Sequence, residues 1–155
     1  MFARSILCIV ATLAAAAIMA GPASAQTEVP APGATPGACV DHVRPTAGYT
    51  SKAARRARRT RLLRGTARDA GCGVDRVQIS VARKHAGRCR ALTSKGRLGR
   101  PASCGKPRWL AVKGTTKWSF RMPKRLGTGT YQVRTRAVDF AGNVQRAHTR
   151  RLKLR

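Results

Sequence analysis

The sequence predicts an all-β protein folded as an antiparallel β-sandwich. Two observations indicate this fold class. Several short segments alternate apolar and polar residues, the pattern of half-buried strands, and turn-forming residues separate these segments at short intervals. The chain has 155 residues, enough for one domain of ordinary size, and it shows no internal repeat. A single sandwich is therefore expected.

The N-terminus has the organisation of a signal peptide. A short cationic start is followed by an apolar run over residues 5–20, and Ala23-Ser24-Ala25 supplies the small residues of a cleavage site. We expect residues 1–25 to be removed by cleavage before Gln26. The apolar run is shorter than the ~20 residues that span a bilayer, so no stable membrane insertion is expected after cleavage. The protein is predicted to be secreted, extracellular or associated with the cell envelope.

Residues 26–48 have the composition of a linker. Pro30, Pro32, Pro36 and Pro45 lie among Ala, Gly and Thr, and such a segment buries too little apolar surface to offset its ordering entropy. The sequence therefore predicts a disordered linker, with Cys39 fastening its far end to a sandwich over residues 49–155.

The first predicted strands follow a basic segment. Residues 52–64 hold seven bases and no acid; a helix would be tolerated there, but its alanine face is small, and a strand is expected from about residue 59. Leu63, Gly65 and Ala67 share one face of that strand. Residues 69–73 form a turn, and residues 74–83 are the clearest strand, with Val77, Ile79 and Val81 on its inner face.

Residues 84–106 interrupt the strand pattern with glycines, a proline, seven bases and no acid. We predict an insertion here, closed by a disulfide. Strands resume over residues 109–113, 117–122 and 130–139, and Leu152 and Leu154 point inward from a last strand. The alternation places Trp118, Phe120 and Tyr131 in the core, whereas Trp109, beside Arg108, is expected to be partly exposed.

Four cysteines follow the predicted signal peptide: Cys39, Cys72, Cys89 and Cys104. An even number in an exported chain indicates two disulfides, for which three connectivities are possible. Pairing Cys89 with Cys104 and Cys39 with Cys72 is preferred because the first pair closes a local loop, and a loop of ~15 residues contributes about 3 kcal/mol in the chain-entropy model. A zinc site would need close Cys-x-x-Cys or Cys/His pairs, and neither Cys72 nor Cys104 has such a neighbour, so no zinc site is expected.

Three short motifs are spaced along the strand region. They are Gly-Thr-Ala-Arg-Asp at 65–69, Trp-Ser-Phe at 118–120, and Gly-Thr-Tyr at 129–131, the last followed by Ala-Val-Asp-Phe-Ala-Gly-Asn at 137–143. This pattern resembles the bacterial Ig-like domains of secreted and cell-surface proteins, over about residues 59–155. The resemblance implies an Ig-like or fibronectin-III-like sandwich of about seven strands with Greek-key order. It also implies a role as a spacer, an adhesive module or an appendage of an enzyme.

The charge is one-sided: 32 Lys and Arg face 5 Asp and Glu, for a formal net charge of +27. Such a surface attracts polyanions, and the excess of arginine favours bidentate contacts with phosphate, sulfate or carboxylate groups. Biased genome composition is the alternative source of the arginines. The predicted polyanion-binding residues are Arg55, Arg56, Arg58, Arg59, Arg88, Arg90, Arg97, Arg100, Arg108, Arg134 and Arg136.

The residues that catalysis needs are scarce. His42, His85 and His148 are the only histidines, no Gly-x-Ser-x-Gly motif is present, and five acids offer few carboxylate pairs. Asp69, Asp75, Asp139 and Asn143 could gather round Ca²⁺, but Asp69 and Asp139 are expected to bond amides of their own turns, and the positive field opposes a cation. We expect no enzyme activity, no cofactor and no metal.

Three functions remain open. The preferred one is a secreted, non-catalytic adhesive or structural module that contacts anionic envelope polymers or acidic glycans. The second is a non-specific nucleic-acid binder with steep salt dependence, since no recognition helix or RNA-binding motif is visible. The third is a small protease inhibitor or enzyme accessory module that uses the disulfide-closed insertion. The oligomeric state is not predicted.

Overall fold

The alternating segments fold into eight strands, joined by one helix, within residues 39–155, the part of the chain that the computed structural model describes. The predicted signal peptide and residues 26–38 of the predicted linker lie outside the described residues. The elements are β1 Thr46–Gly48, α1 Ser51–Thr60, β2 Leu62–Arg68, β3 Val74–His85, β4 Arg88–Ala91, β5 Leu110–Ala111, β6 Lys117–Arg121, β7 Gly129–Asp139 and β8 His148–Leu154.

The strands form two antiparallel sheets. One has three strands in the order β1-β2-β6, and the other has the order β4-β3-β7-β8 with β5 also pairing with β3. The chain changes sheet three times, between β2 and β3, between β5 and β6, and between β6 and β7. Buried residues of both sheets form one hydrophobic core. The predicted all-β sandwich is confirmed.

The core is built from the inner faces that alternation predicts. Leu63 and Ala67 come from β2, Val77, Ile79 and Val81 from β3, and Tyr131, Val133 and Ala137 from β7, with Leu152 and Leu154 from β8. Trp118 and Tyr131 are among the largest fully enclosed side chains. Their polar atoms are satisfied, because Trp118 Nε1 donates to Thr66 O at 3.2 Å and the Tyr131 hydroxyl donates to Gly127 O at 2.8 Å.

The basic segment before β2 is a helix as far as Thr60, although a strand was expected from about residue 59. Thr50 caps its N-terminus, accepting from Ala53 N at 3.1 Å. Arg61 ends it in the left-handed conformation, with φ 55°. Ala57 is fully buried against the sandwich. The alanine face of this helix is small, which argued against a helix in the sequence. Because alanine side chains are short, the same face lets the helix backbone lie close to the core.

The folded unit begins earlier than the predicted boundary at residue 49. β1 pairs with β2, placing Thr46 opposite Arg68 and Gly48 opposite Thr66, and a disulfide joins Cys39 to Cys72. Residues 39–48 are therefore part of the domain. Their composition resembles a linker, but pairing with the edge of β2 and the covalent link offset the entropy lost on ordering them.

The predicted insertion also has different bounds. β3 continues to His85, and a two-residue turn leads into β4, which pairs with it. Ala86 and Gly87 both have positive φ, 46° and 75°, as a type I′ hairpin turn requires. The irregular segment thus starts after Ala91 and not at residue 84.

Tyr49 lies between the two sheets at the open edge near β1 and β8. Its ring meets Trp118 edge-on, with centroids 6.4 Å apart, and the Arg150 guanidinium lies 5.8 Å from its centroid. The Tyr49 hydroxyl is buried and has no hydrogen-bond partner among residues 39–155. Burial raises the pKa of Tyr49 to about 12, although the Arg150 charge opposes this shift.

Tyr49→Phe is expected to alter the pH dependence of stability at alkaline pH. In the unfolded chain Tyr49 loses its proton near pH 10, whereas the folded protein retains it until about pH 12. The neutral hydroxyl therefore stabilises the fold below pH 10, and this contribution is lost as the pH rises toward 12. Urea unfolding at pH 9 and pH 11.5 should show a larger fall in stability for wild type than for the variant. Equal falls would contradict this assignment.

Candidate anion-binding groove

A groove of about 520 Å³ crosses the outer face of the five-stranded sheet, beneath the segment closed by Cys89–Cys104. We call it the cystine groove. Four cationic side chains line it and no acidic one does. Its lining residues are Ser80, Ala82, Cys89, Ala91, Thr93, Gly99, Arg100, Ala102, Ser103, Cys104, Lys106, Pro107, Arg108, Gln132 and Arg134.

The floor of the groove is the outer face of two central strands. Ser80 of β3 pairs with Arg134 of β7, and Ala82 pairs with Gln132. Strand alternation points all four residues away from the core, onto the outer face of the sheet. Ser80 and Ala82 are nevertheless only 2% and 8% exposed, because the chain after β4 lies over this part of the sheet.

The wall of the groove is formed by β4 and the segment that follows it as far as Cys104, which folds back along β4. We call this segment, residues 88–104, the hairpin. Cys89 and Ala102 exchange two backbone hydrogen bonds of 2.9 Å, and the Cys89–Cys104 disulfide lies beside them with its Cα atoms 4.9 Å apart. Leu92, which directly follows β4, is buried in the core, and its amide donates to Val81 O at 2.7 Å. β4 also pairs with β3 from Arg88 to Ala91, so the wall is attached to the sheet along the whole of β4.

Two of the predicted polyanion-binding arginines hold this hairpin together. Arg88 Nη2 donates to Pro101 O at 3.2 Å, and Arg90 Nε donates to Gly99 O at 3.1 Å. Both arginines belong to β4, and these bonds hold the second half of the hairpin against that strand. Their guanidinium groups are partly committed to the protein's own carbonyls.

The cations inside the groove have no acidic partner. Arg100, Lys106 and Arg108 are exposed and Arg134 is half-buried. Among residues 39–155 the only ion pair joins Arg76 to Asp75, elsewhere on the surface. The groove therefore presents uncompensated positive charge, with the hydroxyls of Thr93 and Ser103 and the amide of Gln132 beside it.

Arg136 continues the row of arginines on β7 but is held by its neighbours. Its guanidinium carbon lies 4.2 Å from the centroid of the Trp109 ring, and its Nε donates to Gln78 Oε1 at 2.8 Å. Burial, and next the nearby charge of Arg76, lower the pKa of Arg136. Trp109 is half-buried, as expected, but the arginine on its face is Arg136 and not its sequence neighbour Arg108.

The remaining predicted arginines lie elsewhere. Arg55, Arg56, Arg58 and Arg59 belong to α1 and, with Thr60 and Arg155, line a separate shallow hollow of about 380 Å³. Arg97 is exposed on the hairpin and is not part of the groove lining. The structure thus brings together only Arg100, Arg108 and Arg134 of the predicted set in the cystine groove.

Sequence reasoning missed Lys106 and the neutral polar residues of the groove. Lys106 lies two residues after Cys104 in the basic segment, and Gln132 shares the outer face of β7 with Arg134, so both carried a local signal. Thr93 and Ser103 carried none, because their place depends on how the hairpin folds over the sheet.

The other predicted features have clear positions. The disulfides join Cys39 to Cys72 and Cys89 to Cys104, the preferred pairing. His42, His85 and His148 are all exposed. Within residues 39–155, no helix has the length and apolar character needed to cross a bilayer.

No model of a protein family matches the chain, and no curated protein matches it. Among solved structures, the chain is similar to a point mutant of the SrpA adhesin from Streptococcus sanguinis, with 18% sequence identity and a TM-score of 0.40. The match covers 75% of this chain and 60% of that one, so the chain spans less than two thirds of the adhesin structure.

Proposed function

We propose that this protein is an exported, non-catalytic module that binds an anionic envelope polymer or acidic glycan in the cystine groove. The observation that carries the proposal is the convergence of Arg100, Lys106, Arg108 and Arg134 on one concave surface without an acidic residue. An adhesive or structural role follows from attaching a disulfide-stabilised sandwich to such a polymer outside the cell.

Charge and shape have different parts in this proposal. The net charge of the chain, +27, draws any polyanion toward the surface, and salt screens this attraction. The groove adds contacts that a diffuse field lacks. Arginine offers paired N–H donors to phosphate, sulfate or carboxylate, and Gln132, Thr93 and Ser103 can bond the hydroxyls of a glycan or a polyol phosphate chain.

The composition of the groove favours such a polymer over single-stranded nucleic acid. Proteins that bind single strands without sequence preference stack bases on aromatic side chains, and no aromatic residue lines the groove. Trp109 lies nearby, but Arg136 covers one face of its ring. The lining also contains no histidine and no carboxylate, the groups most often used for acid–base catalysis. This supports a binding site and not an active site.

The test is a titration of the oxidised protein with four polymers across a range of salt concentrations. Poly(glycerol phosphate) and a sulfated glycan represent the proposed ligands, duplex DNA represents the nucleic-acid alternative, and dextran is the neutral control. We expect binding to one of the first two to persist near 150 mM NaCl, while DNA binding fades as counterion release predicts.

Two double variants of equal charge separate the groove from the general field. Arg100→Gln with Arg134→Gln removes two cations from the groove, whereas Arg97→Gln with Arg121→Gln removes two exposed cations outside it. The groove variant should weaken binding at least about tenfold, or 1.4 kcal/mol, and the control less than about twofold. Equal losses would mean that the charge acts as an undirected field, and DNA binding as tight as the other polymers would favour the nucleic-acid function.

A further inference from the structure

Three aspartates from distant parts of the sequence meet at one end of the sandwich. Asp41 precedes β1, Asp69 follows β2, and Asp139 is the last residue of β7. One carboxylate oxygen from each lies within 4.8 Å of the other two. The strand pairings explain this meeting, because Thr46 lies opposite Arg68 and Val74 lies opposite Asp139.

Two oxygens of this cluster are buried without a hydrogen bond. Asp139 is only 1% exposed; its Oδ1 accepts from Asn143 N at 2.7 Å, whereas its Oδ2 has no partner among residues 39–155. Asp69 is similar, since its Oδ2 accepts from Gly71 N and Gly73 N and its Oδ1 is buried and unpartnered. Turn formation therefore uses one oxygen of Asp139 and one of Asp69 and leaves the other free, whereas both oxygens of Asp41 accept hydrogen bonds, from Val43 N and Cys72 N.

The cluster is unusual in so basic a protein. The chain has five acids and 32 Lys and Arg, yet three of the acids gather in one place. The only ion pair within residues 39–155 involves a different aspartate, Asp75. Three carboxylates this close repel one another, and burying a charge without a partner is unfavourable. A cation among them would remove both penalties.

We propose that Asp41, Asp69 and Asp139 bind a calcium ion. Calcium takes oxygen ligands at 2.3–2.6 Å, so two oxygens on one ion are at most about 5 Å apart, as in this cluster. An all-carboxylate donor set disfavours zinc and copper. Magnesium is usually held by one or two carboxylates and retains several waters, whereas three carboxylates suit calcium. Waters or backbone carbonyls would complete the six to eight ligands.

This proposal revises the expectation that the protein binds no metal. The sequence placed Asp69, Asp75, Asp139 and Asn143 together as possible ligands, but Asp75 pairs with Arg76. Asp41 takes its place, and it lay within the predicted linker. Asn143 supports the cluster from its edge, because its side-chain amide donates to Asp41 O at 2.8 Å.

The Cys39–Cys72 disulfide fastens this site. Cys39 lies two residues before Asp41, and Cys72 lies three residues after Asp69. Cys72 N also donates to Asp41 Oδ2 at 2.8 Å. The ion would thus join the start of the domain to the β2–β3 turn and the end of β7, the same connection that the disulfide makes covalently.

Isothermal titration of the oxidised protein with CaCl₂, and in parallel with MgCl₂, tests the site directly. We expect one calcium ion per chain with a Kd of roughly 10⁻⁴–10⁻³ M, the range of extracellular modules, and weaker magnesium binding. At 10 mM CaCl₂ the unfolding midpoint should rise by about 5 °C relative to 10 mM MgCl₂. No saturable calcium binding, or equal responses to the two ions, would overturn the proposal.

Three variants locate the ion. Asp139→Asn retains an oxygen that can accept from Asn143 N, but it replaces the unpartnered Oδ2 with an amide nitrogen and removes the negative charge. This variant should weaken calcium binding at least tenfold. Gly71→Ala changes no charge, but its Cβ would overlap the Asp41 carboxylate, so a similar loss is expected. Asp75→Asn is the matched control and should bind calcium as wild type does.

Unchanged affinity in both site variants, or an equal loss in the control, would place the ion elsewhere and overturn the assignment. If Asp139→Asn does not fold, Gly71→Ala and the wild-type comparison of calcium with magnesium decide the matter.

Discussion

Gly65→Ala is expected to lower the free energy of unfolding by about 3 kcal/mol, near the upper end of what overpacking a core costs. Gly65 lies in β2 directly opposite Trp118 of β6. A Cβ at this position would overlap the Trp118 ring on one side and the Gly48 carbonyl oxygen on the other. One neighbour is a large enclosed ring and the other is backbone, so neither can move away cheaply.

Thermal or urea unfolding measures this effect, and the melting temperature should fall by on the order of 10 °C. Gly48→Ala is the matched control, because a Cβ there has no atom within 4 Å. It makes the same chemical change on the neighbouring strand and should shift stability by less than about 1 kcal/mol. If both variants are equally stable, the close packing of Trp118 on Gly65 is incorrect.

Replacing both cysteines of the hairpin, Cys89→Ser with Cys104→Ser, is expected to abolish selective binding in the groove while the sandwich stays folded. The disulfide closes a segment with a sequence separation of 15, and a loop of that size contributes about 3 kcal/mol in the chain-entropy model. The returning half of the hairpin, which carries Arg100 and Lys106, should open. Leu92, buried in the core, should keep β4 in place.

Hydrogen exchange and polymer titration together report on this variant. Amides over residues 97–106 should exchange faster, those of β3 and β7 should remain protected, and affinity for the preferred polymer should fall at least about tenfold, or 1.4 kcal/mol. Unfolding of the whole domain at ambient temperature would show instead that the hairpin is integral to the core. Unchanged affinity would show that the wall contributes nothing to the groove.

The central strands could be predicted from the sequence because their cause is local. Val77, Ile79 and Val81 alternate with outward residues on β3, and Tyr131, Val133 and Ala137 do the same on β7. Any sheet packed against these strands would bury their apolar faces, so the alternation of apolar and polar residues was enough to predict both strands and their inner faces. The Cys89–Cys104 disulfide could also be predicted from the sequence, because it closes a short loop.

The helix and the N-terminal boundary could not be predicted in the same way. The alanine face of α1 is too small to predict a buried helix from the sequence. The helix is stabilised because Ala57 packs closely on a sandwich that later strands form. Residues 39–48 show no alternation, and their order depends on β2 and on Cys72. Both are tertiary effects that override local propensity.

The same distinction applies to the candidate sites. The charge of the arginines predicts polyanion contacts, but the sequence did not separate arginines that are free to meet a ligand from those that hold the fold. Arg88 and Arg90 bond the hairpin, and Arg136 lies on Trp109, while Arg134 opens into the groove. The separation depends on how the hairpin folds over β3 and β7. The aspartate cluster likewise depends on three chain segments meeting at one end.

The most direct test of the central claim is a residue-resolved NMR titration of the oxidised protein with a short poly(glycerol phosphate) oligomer at 150 mM NaCl. If the groove binds the polymer, amide shifts should concentrate on Thr93, Arg100, Ser103, Gln132 and Arg134 and saturate together. Shifts that spread over all basic surfaces, with the arginines of α1 responding as strongly as the groove, would contradict a shaped site.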